Sequence, residues 1–164
     1  MGEVLLRAHL AHRGADAHVH SAGTLAWGGP ATGSAVLTMR ERGLTLDGHL
    51  SRPLSNELVQ RADLVIGMTR DHVWRTMRAS EDAATRAFVV GELARLGARV
   101  GARRSGESVR EWAARVAGLR PDDRPVGRTG DDVDDPMGEP MHVYRATAER
   151  LDRDLGAIAA LLAP

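Results

Sequence analysis

Val4, Leu5, Ala8 and Leu10 recur at helical spacing and Gly14 stands where a left-handed cap belongs, so Gly2 to Arg13 predicts an amphipathic helix. Ala17 to Ala22 then alternates and turns at Gly23, the pattern of a short strand. A helix followed at once by a strand is the second half of a βαβ unit. The strand and loop that enter this helix are therefore expected ahead of Met1. Pro30 suits the first turn of a helix through Arg42 that Gly43 ends, and Ser55 caps a short helix to Arg61. The nearly continuous apolar run Asp63 to Met68 predicts a buried parallel strand, and Thr69 caps a helix through about Met77. Arg86 to Val90 predicts another strand, and Glu92 to Leu96 opens a helix that Gly97 stops. After Gly138 a long helix runs to Leu162, with Val143 or Tyr144, Thr147, Leu151, Leu155, Ile158 and Leu162 on one face. The alternation predicts an α/β fold, a three-layer sandwich with helices on both faces of a parallel sheet.

A chain of 164 residues with 43% apolar content fits one domain spanning 1–164. Within it, 98–130 shifts toward Arg, Gly, Asp and Pro and reads as a surface excursion carrying one helix, Glu107 to Ala117, around Trp112. The arginines from Arg95 to Arg128 read as a solvated face, the alternative being recognition of acidic partners or phosphopeptides. The 22 basic and 22 acidic residues cancel, which removes the overall field that would attract nucleic acid or an acidic membrane. No apolar stretch is long enough for a membrane span, and no signal segment is present, so a cytoplasmic protein is expected. There is no cysteine, hence no disulfide framework and no Cys-based zinc site. His9, His12, His18 and His20 lack a carboxylate or thiolate to complete a metal set, and Asp131 to Asp135 lacks the alternation of a calcium loop. Neither metal nor cofactor is expected.

Four stretches carry a resemblance: HSAGTLAWGGPA (His20 to Ala31), GHLSRPLS (Gly48 to Ser55), ADLVIGMTRDH (Ala62 to His72) and DVDDPMGEPMHVYR (Asp132 to Arg145). In order and spacing they resemble the successive motifs of bacterial low-molecular-weight protein-tyrosine phosphatases. The resemblance covers nearly everything outside 98–130. It implies hydrolysis of a phosphate monoester by a cysteine thiolate held in a C-x-x-x-x-x-R-S/T loop, where backbone N–H groups, an arginine and a helix dipole hold the phosphoryl group. An aspartic acid before a proline would protonate the leaving group and then activate water. Met1-Gly2-Glu3 matches the P-M-A-E tail that follows the family's loop. The first central strand and the catalytic loop are thus expected to be absent from this chain, through an internal methionine taken as the start. The residues given are then expected to be inactive, and to leave an empty lane in the sheet between the strands near Val19 and Val65.

The resemblance assigns roles residue by residue. Asp135, before Pro136, matches the general acid; read alone it is one carboxylate in an acidic turn, with Asp134 beside it. Ser21 and His49 match positions that brace the phosphate loop; otherwise they are a strand-end hydroxyl and a surface histidine. Trp27 matches an aromatic wall for the substrate ring and is otherwise a packing plug. Met137 stands where the family often has Tyr and can cover a ring face with its thioether. The implied partner is a phosphorylated protein or a small phosphate monoester; phosphotyrosine, phosphoarginine and a metabolite stay open, as does oligomeric state. Two rivals remain, a pseudo-phosphatase acting as a binding or regulatory module and a related arsenate reductase. The latter needs further cysteines downstream, and there are none.

Overall fold

The computed structural model describes residues 1–25, 28–121 and 126–164. The helices are α1 (Gly2–His12), α2 (Gly33–Arg40), α3 (Asn56–Arg61), α4 (Arg70–Ala79), α5 (Val90–Val100), α6 (Val109–Ala117) and α7 (Met141–Leu162). Two strands, β1 (Val65–Gly67) and β2 (Ala87–Val89), pair in parallel with Ile66 opposite Phe88. Successive side chains of a strand point to opposite faces. Accordingly Phe88 lies in a core with residues of α1, α2, α5, α6 and α7, while Ala87 and Val89 join Val59 of α3 and Val73 of α4 in a second core. Helices thus cover both faces of a small parallel sheet, the expected α/β arrangement.

Local capping sets several boundaries where the sequence places them. Ser55 Oγ accepts from Leu58 N at 3.2 Å and Thr69 Oγ1 from His72 N at 3.5 Å, each satisfying an N–H that the first helical turn leaves orphaned. Tyr144, Leu151, Leu155, Ile158 and Leu162 of α7 are buried along one face, against α1 and α5.

Four expectations are corrected. α2 does not begin at Pro30, which makes an isolated antiparallel bridge with Leu50; Thr32 caps the helix instead, its Oγ1 accepting from Ala35 N. Gly97 does not stop α5. It sits mid-helix, where a Cβ would meet Leu161 Cδ1 at 2.9 Å and the Trp112 ring at 3.3 Å, and the helix ends at Gly101 with φ +82°. The stretch 98–130 is not merely a surface excursion, because Trp112, Ala113 and Val116 of α6 are fully buried in the larger core. Trp112 Nε1 also donates to the carbonyl of Gly101 at 2.9 Å. Finally, 17–22 forms no ladder, and only Gly23 beyond it makes a parallel bridge, with Pro53.

The last correction has a physical reason. Strand-like residues need backbone partners, and here charged side chains supply them. Glu3 Oε2 accepts from Ser21 N at 2.9 Å, Arg7 donates to Val19 O at 2.8 Å, and Arg52 Nε donates to Ser21 O at 2.9 Å.

The start of α5 presses against Asp131, in the segment that leads to Asp135. A Cβ on Gly91 would lie 2.8 Å from both Cα and O of Asp131. An unhindered Gly→Ala change in a helix stabilises by up to about 1 kcal/mol. Gly91→Ala should instead destabilise by about 1–3 kcal/mol, the usual cost of overpacking, as read from urea unfolding.

Candidate functional site

The first turn of α1 gathers two of the residues singled out from the sequence. Glu3 Oε2 accepts from both the backbone N–H and the hydroxyl of Ser21, and His49 Nδ1 stands 4.0 Å from the same oxygen. The other carboxylate oxygen, Oε1, pairs with Arg7 one turn along the helix. Burial of the Glu3 carboxyl favours its neutral form. The hydrogen bonds from Ser21 and Arg7 and the Arg7 charge outweigh that and hold its pKa below the ordinary carboxylate value. The loop bearing His49 is fixed by main-chain bonds: Gly23 N to Arg52 O and Leu54 N to Gly23 O, each at 2.8 Å, and Ser51 N to Gly29 O at 3.0 Å.

Asp135 lies on a turn anchored at the exit of β1. Val133 N donates to Met68 O at 2.7 Å. One residue earlier, Asp132 accepts from the backbone N–H of Arg70 at 2.9 Å and from its Nε at 3.0 Å, which docks the segment on the start of α4. Asp131 is chelated by Arg95 of α5 at 2.7 and 3.2 Å. Beyond these anchors Asp135 is exposed, Pro136 is buried, and Asp135 Oδ1 accepts from Met137 N at 3.0 Å. Met137 is 62% exposed.

Met68 borders both groups. Its carbonyl holds Val133, and its Cε lies 3.4 Å from where a Cβ of Gly2 would stand. The C-terminal end of β1 therefore has the first turn of α1 on one side and the Asp135 segment on the other. This is the edge of an open α/β sheet at which ligands bind. Trp27 lies outside the described residues, while Leu25 and Leu50 of the neighbouring loops are 75% and 66% exposed. Ser21 and His49 are brought together; Asp135 and Met137 share a separate turn on the same edge.

Sequence reasoning missed three supports. In the sequence Glu3 stands out only as part of a motif tail, although a carboxylate in the first turn of a helix is a signal in itself. Arg70 and Asp132 lie inside quoted motifs, but nothing local pairs two residues so far apart in the chain.

Residues 1–95 match the family described as low molecular weight phosphotyrosine protein phosphatase, and the chain belongs to that family. It is 40% identical over 73 residues to the protein-arginine-phosphatase of Bacillus subtilis (strain 168), across 44% of this chain and 48% of that protein. The chain thus spans about half the length of the curated relative it matches. It superposes on the low molecular weight protein tyrosine phosphatase from T. tengcongensis with a TM-score of 0.69 at 25% identity, covering 96% of this chain and 86% of that one. A YwlE mutant from Bacillus subtilis gives 0.69 at 24% identity, over 96% and 85%, a likeness of fold.

The Glu3 anchor carries a pH dependence with a defined sign. A carboxylate whose pKa is lower in the folded state stabilises fully above its unfolded pKa, near 4.5, and loses that stabilisation as pH falls through the folded value. Glu3→Gln should cost about 1–3 kcal/mol at pH 7, the worth of hydrogen bonds to a charged group. Denaturant unfolding at pH 7 and near pH 3 should show the wild-type advantage narrowing at the lower pH.

Proposed function

We propose that this chain provides the general-acid side and the loop-bracing side of a phosphate-monoester hydrolase site. The observation that carries the reading is the grip of Glu3 on Ser21, with His49 alongside, at the first turn of α1 and on the same sheet edge as Asp135. A helix N-terminus braced in this way suits a loop of stacked N–H donors around a phosphoryl group. The sequence contains no cysteine, so the thiolate would come from a segment leading into α1. In that setting the thiolate sulfur bonds to phosphorus as the ester oxygen or guanidine nitrogen leaves, and Asp135 delivers its proton to the leaving atom. Asp135, now a carboxylate, takes a proton from water as that water attacks the phosphocysteine, releasing phosphate and the thiolate.

The substrate class proposed is a phosphorylated protein side chain. Phosphoarginine and phosphotyrosine are the two to compare, since the relatives are named as phosphatases of one or the other. Trp27 and Met137 would flank the substrate's side chain, and Ser21 and His49 would hold the phosphate loop through Glu3. A cytoplasmic setting accords with this chemistry. Among the described residues no helix is long and apolar enough to cross a membrane.

The test is an assay of the gene product translated from its upstream in-frame codons, on an aryl phosphate and on phosphoarginine and phosphotyrosine peptides. Vanadate-sensitive turnover is expected, and Asp135→Asn should lower kcat by about 10²–10⁴-fold. The variant should also lose the alkaline limb of the pH profile, where the acid deprotonates. A folded product that carries the loop yet turns over none of these would favour a binding module. An in-frame stop just before Met1 would sink the supply of the thiolate.

A further inference from the structure

A cavity of about 190 Å³ lies between α5 and the segment after α6. It shares no residue with the Glu3 cluster and only Arg95 with the anchors of the Asp135 segment, and four arginines line it: Arg95, Arg99, Arg120 and Arg128. Two are committed to internal carboxylates. Arg120 donates to both oxygens of Glu92 at 2.9 Å and to the carbonyls of Ala84 and Ala87 at 2.7 Å, with its guanidinium 4.3 Å from the Phe88 ring centre. Arg95 chelates Asp131. The other two, Arg99 and Arg128, are exposed and make no side-chain hydrogen bond or ion pair among the described residues.

The charge balance follows. Among the described residues, four guanidinium groups face the two carboxylates of Glu92 and Asp131, which leaves two of the arginines without a carboxylate partner around one concavity. A guanidinium fork matches the oxygens of a tetrahedral oxyanion and binds it in bidentate fashion. The locked pair gives a wall that needs no reorganisation, and the unpaired arginines give the contacts. The volume is below the roughly 300–1,000 Å³ of pockets for drug-sized ligands. It suits a phosphate-sized group rather than an aryl ester.

We propose that this pocket is a second oxyanion site, taking inorganic phosphate or the phosphate of a small ester between Arg99 and Arg128, separate from the hydrolase cleft. The site does not depend on the hydrolase reading. It is tested by titrating isotope-labelled protein with inorganic phosphate at pH 8 and following backbone amide resonances. The amides of Gly127 and Arg128 report the pocket, and those of Gly2, Ser21 and Met137 report the cleft edge.

Saturable shifts at Gly127 and Arg128 are expected, weakening as salt rises, because an exposed charge contact is screened. R99Q/R128Q should weaken this binding at least tenfold. R99K/R128K keeps the charge but loses the fork, and should bind with intermediate affinity while confirming that the fold tolerates change at both positions. Methyl phosphate in place of phosphate separates the two sources: comparable affinity assigns an ester phosphate, and loss of binding assigns the free ion. Equal shifts from chloride at matched ionic strength, or unchanged phosphate binding in R99Q/R128Q, would overturn the proposal. Shifts confined to Gly2, Ser21 and Met137 would overturn it too, leaving the hydrolase reading intact.

Discussion

The carboxylate of Glu3 does for 17–22 what a neighbouring strand does elsewhere. An extended segment must place its N–H and C=O groups, and this one hands them to Glu3, Arg7 and Arg52. Charge-assisted bonds of this kind are shorter and stronger than the amide–carbonyl bonds of a ladder. They are also discrete, fixing the segment at Val19 and Ser21 rather than along its length. The Ser21–His49 side of the candidate site follows from that fixation. Ser21 is held at the first turn of α1, the Gly23–Arg52 and Gly23–Leu54 main-chain bonds bring the adjoining loop with it, and His49 comes within 4.0 Å of the same carboxylate.

The second organising element is the exit of β1. The strand is only three residues long, yet its next residue, Met68, borders both sides of the site. Parallel pairing with β2 fixes the direction in which β1 leaves the sheet, and Thr69 turns the chain into α4 at once. The turn exposes the backbone N–H of Arg70, which Asp132 captures. Packing at the base of the Asp135 segment is tight enough that the second residue of α5, Gly91, must lack a side chain. The site is thus built from contacts between short elements whose positions are set by the two cores on either side of the sheet.

What could be read in the sequence was what is local. The caps at Ser55 and Thr69, the apolar run that contains β1 and the buried face of α7 each depend on a few neighbouring residues, and each stands where the pattern puts it. The α/β class and the family follow from the same pattern and motifs. The misreadings are long-range in origin. Gly97 looked like a stop because glycine usually is one, but the reason for it is Trp112 and Leu161, brought in by α6 and α7. The stretch 98–130 looked like solvent-facing chain because of its arginines. Arg115 is paired with Glu107 and Arg120 with buried Glu92, and Trp112 plugs the core between them. At the candidate site Ser21, His49 and Asp135 could be named from motif order, whereas the Glu3 and Arg70–Asp132 links could not, since each joins residues distant in sequence.

A general acid has two requirements that pull against each other. It must be held within hydrogen-bond reach of a leaving atom, and it must exchange protons with water between turnovers. If Asp135 is the general acid proposed above, the Asp131–Met137 segment reconciles them by separating the restraint from the exposed group. Two consecutive carboxylates are clamped by arginines from different helices, Asp131 by Arg95 and Asp132 by Arg70, so the segment is fixed against both translation and rotation at its base. Pro136 is buried on the far side, and Met137 N donates to Asp135 Oδ1. Asp135 is exposed just beyond these anchors. On the reading proposed here, that is why four acidic residues stand within five positions: two are spent as anchors so that one can stay exposed and still be aimed.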